Sequence, residues 1–156
     1  MTPPRSARIL DATDTAAFRS MLDLFGDAFE DRETYCARQP EDNYLASLLS
    51  SEQFVAIAAF DGPLVVGGLA GYVLPKFEQA RREFYIYDLA VGERHRRRGL
   101  ATAMIQELKG VAAKRDIYAV FVQADYGDDA AIALYTKLGV RKDVLHFDIA
   151  PSNSDA

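Results

Sequence analysis

A mixed α/β fold is predicted for this chain of 156 residues, because β-rich runs and helical patterns of apolar residues alternate along it. Two of the β-rich runs, 54–60 and 64–74, are joined by Asp61-Gly62-Pro63, which indicates a hairpin. A third run, 83–91, leads through a basic, glycine-containing turn into an amphipathic helix from Leu100. No repeat, low-complexity segment or linker divides the sequence, and its length suffices for one sizeable core. We therefore expect one domain.

Runs rich in β-branched, aromatic and small apolar residues predict six strands. In chain order they are 8–10, 54–60, 64–74, 83–91, 119–124 and 144–149. The fifth is apolar enough to be interpreted as a buried strand. The chain from Pro151 onward is expected to fray.

Helical spacing of apolar residues predicts the helices. The first has an apolar stripe from Ala17 to Phe25, with Thr13 or Asp14 as its N-cap and Gly26 as its end. The others are a region that breaks at Pro40 and resumes at Glu41, a helix from Leu100, and a helix over 130–138 that Gly139 ends. The element order is β-α-α-β-β-β-α-β-α-β.

The composition is that of a soluble globular protein, with 49% hydrophobic and 26% charged residues. A net charge of −5 argues against nucleic acid as a partner. The longest apolar-rich stretch, 63–75, is too short to cross a bilayer, and the first residues lack the apolar core of a secretory signal. We expect a cytoplasmic protein without a membrane partner.

The only cysteine, Cys36, excludes an internal disulfide and fits a reducing compartment. Neither His95 nor His146 has a sequence context that pairs it with Cys36, so we expect Cys36 to be structural. The two histidines lie far apart and outside any ligand-spaced cluster, so no metal site is expected.

Charge is unevenly distributed along the chain. Basic residues gather at 94–98, whereas acidic residues gather at 23–33, 41–42 and 125–129. The basic cluster suits an anionic ligand, and the acidic clusters suit a cationic ligand. The alternative is that the acidic runs are solvated faces.

The turn before the helix from Leu100 has the features of an anion site. Gly99 lets the backbone come close to an anion, and the free N–H groups and dipole of the helix start face it. Thr102 can add a hydroxyl donor, and the arginines can add charge. The candidate ligands are Arg96, Arg97, Arg98, Gly99, Leu100, Ala101 and Thr102. An ordinary basic turn is the alternative.

Two groups of carboxylates stand out. Asp88 lies within an otherwise apolar strand, where burial without a partner is costly. Either local donors satisfy Asp88, or it is functional at the mouth of a site. The second group, Asp125, Asp128 and Asp129, follows the apolar run 119–124 directly.

Arg96-Arg97-Arg98-Gly99-Leu100-Ala101 fits the pattern Gln/Arg-x-x-Gly-x-Gly/Ala and resembles the acyl-CoA pyrophosphate loop of the GCN5-related N-acetyltransferases (GNAT). Residues 130–139, with Ala-x-x-Leu-Tyr-x-x-x-Gly, resemble the second cofactor motif of that superfamily. The resemblance implies the GNAT fold over 1–156: a mixed, mostly antiparallel sheet with splayed central strands, flanked by helices. It also implies acetyl-CoA as co-substrate.

Roles for individual residues follow from the same resemblance. Backbone groups of Leu89 and Val91 would hold the pantetheine arm, and the Val91 N–H would donate to the oxyanion formed from the thioester. Tyr135 occupies the position of a tyrosine near the cofactor sulfur and would protonate the departing thiolate.

Longer strings narrow the resemblance to the type I aminoglycoside 3-N-acetyltransferases, the gentamicin acetyltransferases. These strings are 23–26, 72–79, 85–91 and 123–129, and the similarity spans roughly 8–151. It implies Asp88, Asp125 and Asp128 at the aminoglycoside site, and a homodimer. Asp129 stands where the wider superfamily often has an amide and fits a polycation; Ala80 replaces an expected proline.

Amine chemistry completes the hypothesis. A protonated amine has no lone pair, so a carboxylate or a water chain must remove its proton before it attacks. Asp88 is our choice of base, and direct attack on the thioester needs no acyl-enzyme. The alternatives are the same chemistry on a polyamine or a protein lysine, and a non-catalytic acyl-CoA-sensing module.

Overall fold

The computed structural model of the chain describes residues 5–152. Within these residues the chain forms two compact units, which divide between Gln123 and Ala124. The strands are β1 (Arg5–Ile9), β2 (Phe54–Asp61), β3 (Leu64–Pro75), β4 (Arg82–Val91) and β5 (Ile117–Val122). The helices are α1 (Thr15–Ala28), α2 (Arg32–Tyr35), α3 (Asp42–Ser50), α4 (Leu100–Lys114) and, in the second unit, α5 (Asp129–Leu138).

The five strands form one mixed sheet in the order β1-β2-β3-β4-β5. The first four pair antiparallel with their neighbours, and β5 pairs parallel with β4. The predicted hairpin is confirmed, because β2 and β3 pair across the turn at Gly62, which has φ 59°. Among residues 5–152, no helix has the length and apolar character that a bilayer crossing requires.

The neighbouring strands β4 and β5 separate along their length. Their pairing ends at Ile86 and Val122, whereas β4 continues beside β3 as far as Val91. The outer edge of 87–91 therefore has no paired strand within the part of the chain that the structure describes. This confirms the predicted splay and leaves backbone groups available there.

A β-bulge at Tyr87 lies where the splay begins. Ala70 pairs with Asp88 but Gly71 pairs with Ile86, so Tyr87 is an extra residue in β4. A bulge bends the strand and changes the direction of the side chains that follow it. The bulge therefore determines how Asp88 is presented.

Glycine is required at position 71, opposite this bulge, because there is no room for a side chain. A Cβ there would collide with the backbone carbonyl of Tyr85 and with the ring of Phe84. Because a strand carbonyl cannot move aside cheaply, Gly71→Ala should lower the free energy of unfolding by about 3 kcal/mol. Urea unfolding measures the change. A loss below about 1 kcal/mol would show that the bulge adjusts easily and does not fix the strand.

Helices cover both faces of the sheet in the first unit. Two consecutive glycines show this, because a Cβ on Gly67 would touch Met104 of α4 and one on Gly68 would collide with Met21 of α1. The α1 side also carries a continuous core that extends to α3, formed by Leu10, Phe18, Met21, Phe25, Leu45, Leu49, Phe54, Ala56 and Ala58. Gly67 and Gly68 pair with Val91 and Ala90, so the carboxyl end of β4 lies in a part of the sheet that α4 covers on one face and α1 on the other.

Three local predictions were wrong. Helix α1 passes through Gly26 to Ala28, because Gly26 is the buried point at which Cys36 approaches the helix. Strand β5 is an edge strand with half-exposed side chains rather than a buried strand. Residues 144–149 form no strand; they pair with nothing in the described sheet, and Ile149 is 89% exposed.

Candidate active site

The basic turn before α4 has the geometry of an anion site. Arg97 and Gly99 both have left-handed backbones, with φ 63° and 76°. The first helical bond runs from the Ala103 N–H to the Gly99 carbonyl at 2.9 Å, so the N–H groups of 100–102 precede the helical ladder. Those groups point out of the helix start, toward the positive end of its dipole.

The space in front of this helix start is open. A Cβ on Gly99 would meet no atom within 4 Å, and the side chains of Arg96, Arg97 and Arg98 are exposed. The Leu100 side chain is buried in the core and anchors the helix, so only its backbone is available to a ligand. The turn therefore fits a phosphate-bearing group such as the pyrophosphate of acetyl-CoA.

Backbone geometry at the end of β4 supplies further donors. The Gly92 N–H donates to the Val66 carbonyl at 2.8 Å, so residue 92 faces β3. Because successive residues of a strand face opposite edges, the N–H groups of Leu89 and Val91 point into the splay. The Val91 carbonyl on that edge accepts a hydrogen bond from Arg96 Nε at 3.1 Å. This bond connects the end of β4 to the basic turn and helix start at 96–102, which we call the anion turn.

Asp88 has a specific partner. The Tyr35 hydroxyl donates to Asp88 Oδ2 at 2.8 Å across 53 positions of sequence. Burial raises the pKa of the Asp88 carboxyl above its ordinary value, and the Tyr35 hydrogen bond opposes that rise. Burial and the Asp88 contact also raise the pKa of the Tyr35 phenol, which keeps it protonated as a donor. Asp88 is therefore both oriented and made more basic than a surface carboxylate.

Helix α2 holds Tyr35 in place. Its ring packs against Phe25 and Phe29, with centroids 5.8 and 5.7 Å away. Asp31 caps α2 by accepting the Thr34 N–H at 3.2 Å. The position of the Tyr35 hydroxyl is thus set by α1 and by the cap of its own helix.

Asp88 and Tyr35 border a cavity of about 350 Å³ between the sheet and α1–α3. Six aromatic side chains contribute to its walls: Phe18, Tyr35, Tyr44, Phe54, Tyr72 and Tyr87. Arg38 and Gln39 line it as well. An aromatic chamber with a carboxylate beside the free edge of β4 can receive a cationic amine.

The second unit carries the remaining predicted residues. Asp128 is the N-cap of α5 and accepts the Ala131 N–H at 3.2 Å, whereas Asp125 begins the preceding turn. Asp125, Asp128 and Asp129 are all exposed. Burial, with a smaller contribution from Asp128, raises the pKa of the Tyr135 phenol to about 12, so Tyr135 is protonated at neutral pH.

The structure brings together Asp88, Leu89, Val91 and the turn 96–102 at one end of β4 in the first unit. Sequence reasoning missed Tyr35, Tyr44 and Arg38, which lie in or beside short helices without a motif. Burial raises the pKa of the Cys36 thiol, which fits the structural role expected for it. No cluster of three or more metal-ligating side chains occurs in residues 5–152.

The family model and the similar solved structures both identify acetyltransferases. The chain matches the acetyltransferase (GNAT) family over residues 18–140. A crystal structure of an aminoglycoside acetyltransferase from an uncultured soil metagenomic sample is 50% identical, covers 96% of this chain and 100% of that one, and superposes with a TM-score of 0.93. A second such enzyme, in complex with sisomicin, is 28% identical over 95% of this chain and 97% of that one, with a TM-score of 0.85.

Curated relatives are more distant. The L-2,4-diaminobutyric acid acetyltransferase of Methylotuvimicrobium alcaliphilum is 29% identical over 69% of this chain and 62% of that protein. A probable N-acetyltransferase family 8 member of Mus musculus is 24% identical over 76% and 52%. The chain therefore spans less than two thirds of the length of these curated relatives.

Proposed function

The chain belongs to the GNAT acetyltransferase family, and on that premise we propose that it transfers the acetyl group of acetyl-CoA to an aminoglycoside, at the 3-amino group. The observation that carries the proposal is the carboxylate of Asp88 in an aromatic cavity beside the free edge of β4. Residues 1–156 would form one catalytic domain, and the protein would be a cytoplasmic homodimer.

The anion turn and the end of β4 would bind different parts of acetyl-CoA. The N–H groups of 100–102 and the arginines 96–98 would bind its pyrophosphate, and the Leu89 backbone would hold its pantetheine arm. When bound, acetyl-CoA supplies a thioester carbonyl carbon that an amine can attack. The Val91 N–H then donates to the carbonyl oxygen as negative charge develops on it.

Asp88 prepares the attacking amine. An aminoglycoside ammonium group gives one proton to Asp88, which exposes the nitrogen lone pair. As the N–C bond forms and the C–S bond breaks, the nitrogen would release its second proton to solvent. The Tyr135 phenol would give its proton to the departing sulfur and then recover one from solvent. Because the pKa of Tyr135 is raised to about 12, it holds that proton at neutral pH.

The exposed carboxylates of the second unit have a separate proposed role. Asp125, Asp128 and Asp129 would bind other ammonium groups of the same polycation through charge-assisted hydrogen bonds. Asp128 keeps one oxygen available for this, because its cap bond to Ala131 uses only Oδ1.

A smaller acceptor is the second candidate. Arg38 lines the cavity that Asp88 borders, so the cavity offers a cation for a carboxylate as well as an anion for an amine. That pair of charges, with the diaminobutyrate relative, supports a diamino acid as acceptor. A kcat/KM for L-2,4-diaminobutyrate above that for gentamicin would favour this alternative.

The position of transfer is tested on the product. Acetylated gentamicin would be purified after reaction with acetyl-CoA, and NMR would assign the acetylated nitrogen. The proposal predicts acetyl on the 3-amino group. Acetyl on another amine would keep the substrate class and reject the position, whereas no acetylated antibiotic would reject the proposed function.

Tyr35→Phe tests how Asp88 is prepared. Removing the hydroxyl leaves Asp88 without the bond that lowers its pKa, so the acidic limb of the kcat/KM profile should move to higher pH. We also expect kcat to fall about tenfold, because the carboxylate loses its orientation. Tyr44→Phe, in the same cavity, is the matched control. An acidic limb that stays in place would contradict the assignment of Tyr35.

A further inference from the structure

Five aromatic rings form a continuous row across four neighbouring strands of the first unit, which we call the aromatic track. They are Phe54 of β2, Tyr72 of β3, Tyr87 and Tyr85 of β4, and Phe121 of β5. Successive ring centroids lie 5.5, 5.8, 5.6 and 4.7 Å apart. Four strands span about 14 Å at the usual spacing, which is more than one sugar ring covers.

The inner end of the track belongs to the Asp88 cavity. Phe54, Tyr72 and Tyr87 all line that cavity, whereas Tyr85 and Phe121 continue the row outside it. Phe54 is only 5% exposed, but Tyr72, Tyr87 and Phe121 are 42%, 61% and 38% exposed. The track therefore runs from the buried ring of Phe54 onto an accessible surface of the sheet.

The outer rings are held in fixed positions. Tyr85 stacks on Phe121 with an interplanar angle of 10°. Its hydroxyl donates to Gln123 Oε1 at 2.7 Å. Accessible aromatic rings that are both contiguous and ordered are typical of a binding surface.

We propose that the aromatic track is an extended acceptor subsite, which holds the sugar rings of the aminoglycoside that are not being acetylated. The inference rests on the proposed function and names how that substrate is held. Aromatic faces carry negative charge density, which attracts ammonium groups and the polarised C–H bonds of a sugar face. Asp88, which follows Tyr87 in β4 and lines the same cavity, supplies the carboxylate that the reacting amine needs.

Two acceptors of different length test the track. Sisomicin has three rings, and 2-deoxystreptamine is the single ring that carries the 3-amino group. Phe121→Leu removes the ring at the β5 end of the track, which does not line the cavity. Phe77→Leu, at a 99% exposed aromatic residue outside the track, is the matched control. Steady-state kinetics would give KM and kcat/KM for each protein with each acceptor.

We expect Phe121→Leu to lower kcat/KM for sisomicin about three- to tenfold through KM, in keeping with one lost cation–π or stacking contact. The values for 2-deoxystreptamine, and all values of Phe77→Leu, should stay unchanged. An equal loss on both acceptors, or no loss on either, would overturn the subsite.

Failure of the proposed function has a different signature. If the wild-type protein acetylates no aminoglycoside, calorimetry with sisomicin still tests whether the aromatic track binds that antibiotic. Weaker binding of sisomicin by Phe121→Leu than by the wild type supports the subsite. Equal binding by the two proteins, or no binding by the wild type, overturns it. Light scattering adds one outcome. A wild-type dimer that Phe121→Leu dissociates, with sisomicin kinetics unchanged, would make the track an interface between copies and overturn the subsite.

Discussion

Asp88→Asn is expected to lower kcat for acetyl transfer about a hundredfold or more, while the affinity for acetyl-CoA stays unchanged. The amide cannot take a proton from the acceptor ammonium group. It can still accept the Tyr35 hydrogen bond that Asp88 Oδ2 accepts at 2.8 Å, so the cavity keeps its shape. Thiol release measures turnover, and calorimetry measures the affinity for acetyl-CoA.

The same substitution separates chemistry from stability. Burial raises the pKa of Asp88 in the folded state, so its contribution to stability is full at pH values below the ordinary carboxyl range. That contribution is lost as pH rises through the raised pKa, because the buried charge is then a cost. Asp88→Asn should therefore be at least as stable as the wild type at pH 7 in thermal unfolding.

Asp116→Asn is the control for this experiment. Asp116 is exposed at the turn before β5 and has φ 56°, which asparagine tolerates well. It should change neither turnover nor stability. Near-normal kcat in Asp88→Asn across pH would assign the proton transfer to a water chain or another carboxylate.

Gly99→Ala is expected to raise the Kd for acetyl-CoA about tenfold or more. The new methyl group would occupy the open space in front of the helix start, where a phosphate must reach the N–H groups of 100–102. Loss of one bond to a charged oxygen is worth about 1.5–3 kcal/mol, which is about tenfold or more in affinity. The left-handed φ of 76° adds a cost of about 1–2 kcal/mol to folding.

Gly110→Ala is a close control for Gly99→Ala. Gly110 lies on the exposed side of the same helix, and a Cβ there also meets no atom within 4 Å. Alanine in a helix interior should stabilise the protein by about 0.5–1 kcal/mol and leave the affinity for acetyl-CoA unchanged. Equal Kd values for the two variants would contradict the anion site.

Features set by neighbouring residues in sequence were predictable. The hairpin at Gly62 depends on turn chemistry, and the anion turn depends on Gly99 before an amphipathic helix. Both are properties of a few consecutive residues. The splay was predictable only through the resemblance, because no local pattern states where two strands stop pairing.

Features set by distant contacts were not predictable. The Tyr35 hydroxyl reaches Asp88 from a four-residue helix that has no signature of its own. Gly26 has the residue type of a helix end, yet the close approach of Cys36 gives it another use. Apolar composition predicted strands at 119–124 and 144–149, but burial and pairing depend on which neighbours a strand finds.

The central claim is most directly tested by following release of free thiol from acetyl-CoA with gentamicin, and with spermidine and a lysine peptide beside it. The account predicts rapid release with gentamicin and little with the other two amines. Release with only spermidine or the peptide would contradict the aminoglycoside assignment while keeping the acetyltransferase. Tight binding of acetyl-CoA without release from any amine would contradict catalysis and indicate a sensing module.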